Sequence, residues 1–414
     1  MKHTNSLRGN ASAAGSFVWV SIAIYALTLT IGIAAYLSNT ARSVSSNYEL
    51  AASHWLQSES LYSESKIIGH GFLYLPQAAI FHIPFALLSE WTGVKEAGDV
   101  AFRIASWVVL AVCCFRFTRL AGHEDGFSQV LMALAVSAVG VSCIRIGQST
   151  VMMTALMLLS LDMWRLGRYN WSAVCIAVAI GVKPLAIVLA LLLFAVSRTM
   201  RVRLILCAIG LAALPFVSQS PLYAWNQYRD CFAMMGIAAE SGNQSYWAQL
   251  FCMLRIFGVP LSGPVQNVIR MIAALGTLVL AFMAVARVEQ ARAAYWLFHL
   301  SVFFLMLFNP RTENTTYLMM GPVYGLLIAN NMASTKRVFL KVLPWVLMIC
   351  TAGSYEIGKF FTRAGDFPVW LAPLCCCVTI GLLVYNNLPK KWTARILTYP
   401  ANQKICSGRS IRKQ

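Results

Sequence analysis

The sequence predicts an all-α polytopic membrane protein, a bundle of about twelve transmembrane helices with two large loops on its outer face. Three observations carry this. First, 58% of the 414 residues are hydrophobic and only 12% are charged, whereas soluble domains carry roughly 25% charged residues. Second, the apolar residues gather into runs close to the ~20 residues that span a bilayer, without the alternation of barrel strands. Third, the net charge of +18, from 33 Lys and Arg against 15 Asp and Glu, falls mostly between those runs, as basic cytoplasmic loops do. No dense basic stripe interleaves with aromatics, which speaks against a nucleic-acid partner.

Taken in order, the expected spans are Phe17–Leu37, Leu73–Trp91, Ala101–Phe117, Phe127–Ile144, Thr150–Leu166, Trp171–Val196, Val202–Val217, Val268–Ala286, Tyr295–Phe308, Tyr317–Asn330, Val338–Tyr355 and Val369–Tyr385. The polar, basic start (residues 1–16) precedes a run long enough to be a retained first helix rather than a cleaved signal. A transmembrane domain then covers 17–386, and a basic tail covers 387–414. Arg198, Arg201 and Arg203, then Lys336, Arg337 and Lys341, and then the tail put both termini in the cytoplasm of a multi-pass cell-membrane protein. Two pairs, Arg116/Arg119 and Arg165/Arg168, run against that orientation. The large outer loops are Ser38–Phe72 and Ser218–Asn267, and irregular polar chain there suits a cavity.

Most of the twelve cysteines lie in apolar segments, where a thiol acts as a small hydrophobe. No Cys/His cluster has zinc spacing, and no cofactor is expected. A Cys231–Cys252 disulfide in the second outer loop is open, with apolar contacts the favoured reading. Three N-x-S/T matches, at Asn10, Asn243 and Asn314, are taken as chance.

Candidate chemistry follows from polar residues at span ends. Near the start of a helical stretch in the first loop, Glu49 is expected to stay ionised by the helix dipole and to act as a base. A solvated amphipathic helix explains any single glutamate there more simply. Arg145 and Gln148 sit between two apolar spans, where a polar turn serves equally well. Lys183, followed by Pro184 inside an expected span, is costly unless paired or facing water. A lysine snorkelling from a tilted helix is the alternative. The passage Asn309-Pro310-Arg311-Thr312-Glu313-Asn314 lies between two short spans, a pattern that marks binding sites at membrane depth. Arg311 suits a phosphate and Glu313 and Asn314 suit hydroxyls, against a salt-bridged helix cap. Aromatic and amide groups of the second loop, with Asn243 and Gln244, suit a sugar or an interfacial belt.

Several passages in this order resemble the polyprenol-phosphate-mannose-dependent mannosyltransferases, a family of C-type membrane glycosyltransferases. These are YELAASHWLQSESLY with FLYLPQAAIFHIPFALL, Gly147-Gln148, Lys183-Pro184, Asn243-Gln244-Ser245 with Arg255, and the Asn309–Asn314 passage ending near Pro322. The resemblance implies a C-type glycosyltransferase bundle that moves a mannose-like hexose from a polyprenyl-phosphate carrier. The acceptor would be a lipid-linked or envelope glycan on the outer face. The family's first-loop aspartate falls near Ser45 here, and no aspartate occurs between Ser38 and Phe72. Glu49 is the nearest carboxylate, and it either substitutes or leaves the loop a binding element. A lipid-linked-sugar flippase or transporter, and a glycan polymerase or ligase, are the other classes considered.

Overall fold

The computed structural model describes residues 4–62, 71–123, 125–239, 247–361 and 370–387, and every regular element among them is helical. Helix α1 (Thr4–Leu37) leads through a short turn to α2 (Ser45–Leu56) and then α3 (Pro76–Thr92). Next come α4 (Ala97–Leu120), α5 (Gly126–Ile146), α6 (Thr150–Arg165) and α7 (Tyr169–Val182). A 3₁₀ turn at Pro184–Ala186 precedes α8 (Ile187–Val196), followed by α9 (Arg198–Ser218), α10 (Pro221–Ala239), α11 (Leu250–Ile256) and α12 (Gly263–Arg287). The last group is α13 (Gln290–Phe308), a 3₁₀ turn at Asn314–Met319, α14 (Met320–Ser334), α15 (Val338–Ala352), α16 (Ser354–Lys359) and α17 (Leu371–Asn387).

Among the described residues six helices are long and apolar enough to cross a membrane: Ser16–Leu37 of α1, Ala97–Arg119 of α4, α5, α9, α12 and α13. Shorter apolar helices are Tyr169–Val182, Pro184–Val196, Val338–Ala352 and Leu371–Asn387. Their outward faces stay apolar; Leu206, Ile209, Met271, Ile272 and Leu275 are exposed. That is the surface a lipid environment requires and water does not tolerate in such a patch.

Contacts between helix termini define two ends of the bundle. At one end Tyr36 Oη donates to Asp99 Oδ2 at 2.7 Å, and Val44 N donates to Ile146 O at 2.7 Å. At the other, the Phe17 and Phe127 rings meet at 6.3 Å, His123 Nε2 lies 3.0 Å from Asn330 Oδ1, and Gln290 Nε2 donates to Trp164 O at 3.0 Å. Asn386 Nδ2 donates to Asn331 Oδ1 there as well.

This geometry corrects the expected spans at two places. Leu73–Trp91 does not run through the bundle, because α3 lies across the first end. Its start is tied by Gln77 Nε2 to Leu211 O of α9 at 2.8 Å, and its far part by Ser89 Oγ, which accepts from Gly98 N at 2.9 Å. Gln77, His82, Pro84 and Ser89 make it a poor span, and its His82 packs on Tyr48 and Phe102. The second correction is at Trp171–Val196, which is two antiparallel helices broken at Lys183. That residue is extended (φ −151°, ψ 120°), as the residue before a proline prefers.

The two changes reverse the direction of α4, α5, α6 and α7. Arg116, Arg119, Arg165 and Arg168 therefore fall at the same end as Arg198, Arg201 and Arg203; Arg203 Nε donates to Asn170 Oδ1 at 2.7 Å. The two pairs that disagreed with the expected orientation no longer disagree. Helix α1 also starts earlier than expected, at Thr4.

The core seam runs between α5 and α14. A Cβ on Gly321 would sit 2.9 Å from Val136 Cα, and one on Gly325 2.9 Å from Met132 Cα. Glycines four apart let two backbones approach, the small-residue device of membrane helix packing. Gly140 of α5 likewise receives the Trp107 ring.

Candidate functional site

The first end of the bundle gathers two polar groups, both formed where helices start or stop. Helix α5 ends at Gly147, in a left-handed conformation (φ 69°) that glycine adopts freely. The chain then turns directly into α6, which places Gln148, Ser149 and Thr150 on the core side, all buried. Lys183 arrives from the break between α7 and α8, and Glu313 from the chain before the Asn314–Met319 turn. Lys183 is 6% exposed. Its Nζ donates to Thr150 Oγ1 at 2.8 Å and Gln148 Oε1 at 3.4 Å, and lies 3.8 Å from Glu313 Oε2. Gln148 Nε2 donates to the same Oε2 at 2.8 Å, and Thr315 Oγ1 at 3.3 Å. All of these contacts fall on Oε2, while the Glu313 side chain is 37% exposed.

A tyrosine pair, Tyr48 buried and Tyr74 half-buried, walls this group. Tyr48 Oη lies 2.9 Å from Tyr74 Oη and 3.3 Å from Ser149 Oγ. Burial drives both phenols well above the ordinary tyrosine range, so they remain neutral donors. Arg311 stacks over the Trp247 ring at 4.7 Å, and its Nε is buried with no hydrogen-bond partner among the described residues. Burial lowers its pKa, with Glu313 opposing that shift. The passage around it is rigid: Ala248 N donates to Thr312 O at 2.7 Å, and Thr312 Oγ1 donates to Leu305 O at 2.9 Å. Asn314 Oδ1 is taken by Ser354 Oγ at 2.5 Å, a tie between the turn and α16.

The second group surrounds Arg103 of α4, which is 1% exposed. Its guanidinium donates to Ile144 O, Ser45 Oγ, Asp99 O and Ser43 Oγ at 2.8–3.0 Å and stacks on the Tyr36 ring at 3.6 Å. The Asp99 carboxylate is 3.7 Å from it. Glu49 belongs to this group. The helix begins at Ser45, so Glu49 lies a full turn inside it and the N-terminal dipole argument lapses. Oε1 of Glu49 and Oδ1 of Asp99 are buried without a donor, and the carboxyls face each other. Burial, and then the Asp99 charge, push Glu49 up to about 8, so the expectation of an ionised Glu49 is reversed.

Of the expected site residues, then, Gln148, Lys183 and Glu313 come together, and Arg311 lies two residues from Glu313 on the same passage. Glu49 pairs with Asp99 instead, although Tyr48, its neighbour on α2, reaches the wall of the Lys183 group. Asn243 and Gln244 lie outside the described residues. Asp99, Arg103, Tyr74 and Thr150 were not singled out. Asp99 and Arg103 stand four apart at the start of an apolar helix, a signal that was available. Tyr74 and Thr150 gave none.

Cys231 and Cys252 are not joined to each other. Cys231 Sγ donates to Tyr74 O at 3.5 Å, while Cys252 sits beside Gln249 at 3.9 Å, so the disulfide is not formed. Among the described residues no group of three or more His, Cys, Asp or Glu could hold a metal ion.

Apolar helices with a cationic and carboxylate centre at one end define a membrane-embedded protein with a polar site at the end of its bundle. The model of glycosyltransferase family 87 matches residues 72–310, more than half of the chain. The chain belongs to glycosyltransferase family 87. The match includes Asp99, Arg103, Gln148 and Lys183; Glu49 and Glu313 flank it. No curated protein matches the chain.

Proposed function

We propose that this membrane glycosyltransferase transfers a mannose-like hexose from a polyprenyl-phosphate carrier to a lipid-linked or envelope glycan. The observation that carries the reading is the placing of Lys183, Arg311 and Glu313 at one end of a lipid-facing bundle. A prenyl tail can stay in lipid while its phosphate meets Arg311 and Lys183, cations that neutralise the leaving group. Arg311 suits this role because its Nε has no partner and its ring stacking pre-sets the guanidinium plane.

Two carboxyls compete for the proton of the acceptor hydroxyl. Glu313 is favoured because its contacts leave Oε1 uncommitted and its side chain reaches the surface. Glu49 faces the buried Asp99, away from the Lys183 group, and burial keeps its carboxyl raised, so it acts as a support of α2. The acceptor oxygen then attacks the anomeric carbon, the bond from that carbon to the phosphate oxygen breaks, and the lipid phosphate departs. Glu313 keeps the proton and releases it to water. Trp247 offers an aromatic face for the sugar.

The excess of basic residues at the opposite end supports a cytoplasmic reading of that end in a cell-membrane protein, with the site on the outer face. The start of α1 and the end of α17 share the cytoplasmic side. Transfer of radiolabelled hexose from polyprenyl phosphate to extracted glycolipid by purified protein tests the reading. Label that moves only across the bilayer, with no new glycosidic bond, would instead indicate a carrier. No transfer with any polyprenyl-phosphate hexose defeats the donor assignment.

A further inference from the structure

At the opposite, basic end of the bundle the α1 and α4 helices part to leave a cleft of about 550 Å³. Its walls are apolar: Val18, Ile22 and Ala26 of α1 face Val108, Ala111 and Phe115 of α4. Its charged and amide side chains lie at the mouth, where Arg116, Arg119 and Gln129 line it, and Tyr25 adds a hydroxyl farther in. From Trp107 to Arg119 the α4 wall runs roughly 18 Å at 1.5 Å per residue. That is a little over half of a ~30 Å hydrocarbon core, the depth of one leaflet.

Two features at the mouth specify more than an acyl chain. The charge balance is positive. Arg116 and Arg165 both reach Asp162, Arg165 at 3.2 Å, while Arg119 is exposed and has no acidic partner among the described residues. The second feature is an acceptor. Gln129 is 3% exposed, and its Oε1 has no hydrogen-bond donor among the described residues. An unpaired buried amide oxygen is destabilising unless a ligand supplies a donor.

We infer that this cleft is a binding site for a phospholipid that carries both an anionic phosphate and a hydroxylated headgroup, such as a phosphoglycerol. The phosphate meets Arg119 and the outer face of Arg116, a headgroup hydroxyl donates to Gln129 Oε1, and one acyl chain fills the cleft. The site is separate from the Lys183 group, at the other end of the bundle, and it needs no transferase activity.

The test uses the full-length protein purified in neutral detergent, with lipid retention read by native mass spectrometry and by the melting temperature. Phosphatidylglycerol is the probe, and phosphatidylcholine and phosphatidic acid are the comparisons. The parent protein should retain phosphatidylglycerol and melt higher with it. Phosphatidic acid, lacking the hydroxyl, should bind more weakly, and phosphatidylcholine should leave the melting unchanged. Arg119→Gln and Gln129→Leu should each weaken retention about tenfold, the scale of one lost contact to a charged or buried group. Ala26→Trp, which fills the cleft, should abolish it. Lipid-free melting identifies any variant that has not folded, and Arg119→Gln, at an exposed position, carries the test alone if the others fail. Equal retention of all three lipids, or unchanged retention by folded Arg119→Gln, overturns the assignment.

Discussion

Replacing Glu313 by glutamine separates catalysis from stability by magnitude. The substitution keeps the shape and removes one charge 3.8 Å from a lysine that is 6% exposed. Coulomb's law gives about 4 kcal/mol for such a pair at an effective dielectric of 20. Glu313 is 37% exposed, so solvent screening reduces this to about 1–3 kcal/mol. A native state with roughly 5–15 kcal/mol of stability survives that loss almost fully folded. Loss of a general base, by contrast, lowers the rate about 10²–10⁴-fold. Glu313→Gln should therefore lose at least a hundredfold in kcat, with little change in donor affinity and a modest fall in Tm. Labelled-hexose transfer, with melting measured in parallel, provides all of these. Activity within tenfold of the parent, or an equal loss in Glu49→Gln, would refute the assignment of the base.

Lys183→Met should weaken donor use about 10²–10³-fold through the lost charge on the departing phosphate, read as kcat/KM. Glu313 is then expected to couple with it: the double variant should lose less than the product of the single losses. Arg103→Met leaves Asp99 unpaired and buried and strips donors from Ile144 O, Ser43 and Ser45, so it should cost about 3–5 kcal/mol in unfolding free energy. With Glu49 raised from 4.5 to about 8, the folded state holds a proton that the unfolded chain gives up. That contribution is whole below 4.5 and is lost as pH rises through the window to about 8. Melting measured across this range should show the decline, and Glu49→Gln should flatten it. Gly147→Ala should destabilise the α5–α6 turn, because φ is 69° and a Cβ would meet Arg103 Nη2 at 2.8 Å; a melting point equal to the parent's would contradict this.

The helical membrane class was plain from apolar runs, since lipid leaves backbone no other way to satisfy itself. Direction was harder. Leu73–Trp91 has the hydropathy of a span, yet α3 is held across the bundle end by Gln77 and His82, whose partners lie far away in the chain, and by Ser89, bonded to Gly98 at the start of the next helix. Lys183-Pro184 was recognisable as a break in a long run, but not as a full reversal. One extra span and one missed span cancel in the count, so only the misplaced arginine pairs betrayed the error. Within the site, Lys183 and Glu313 stood out because charges near membrane depth are expensive. The environment of Glu49 was not legible, because its pKa depends first on burial and then on Asp99, fifty residues on, whose proximity no local pattern encodes.

The glycine seam between α5 and α14 carries a consequence for how substrate preference can change. Gln148 follows the last turn of α5, and Glu313 precedes the turn that opens α14, so the separation of the two side chains is inherited from backbones locked at Gly321 and Gly325. The pair behaves as the fixed jaw of a vice, its gap set two to three turns away from the working surface. Bulk added at the seam would open the jaw without touching any polar residue, and would alter the rate more than the choice of sugar. Choice of acceptor is set elsewhere instead, by the chain around Trp247 and by α2, α10 and α16, which lie outside that seam.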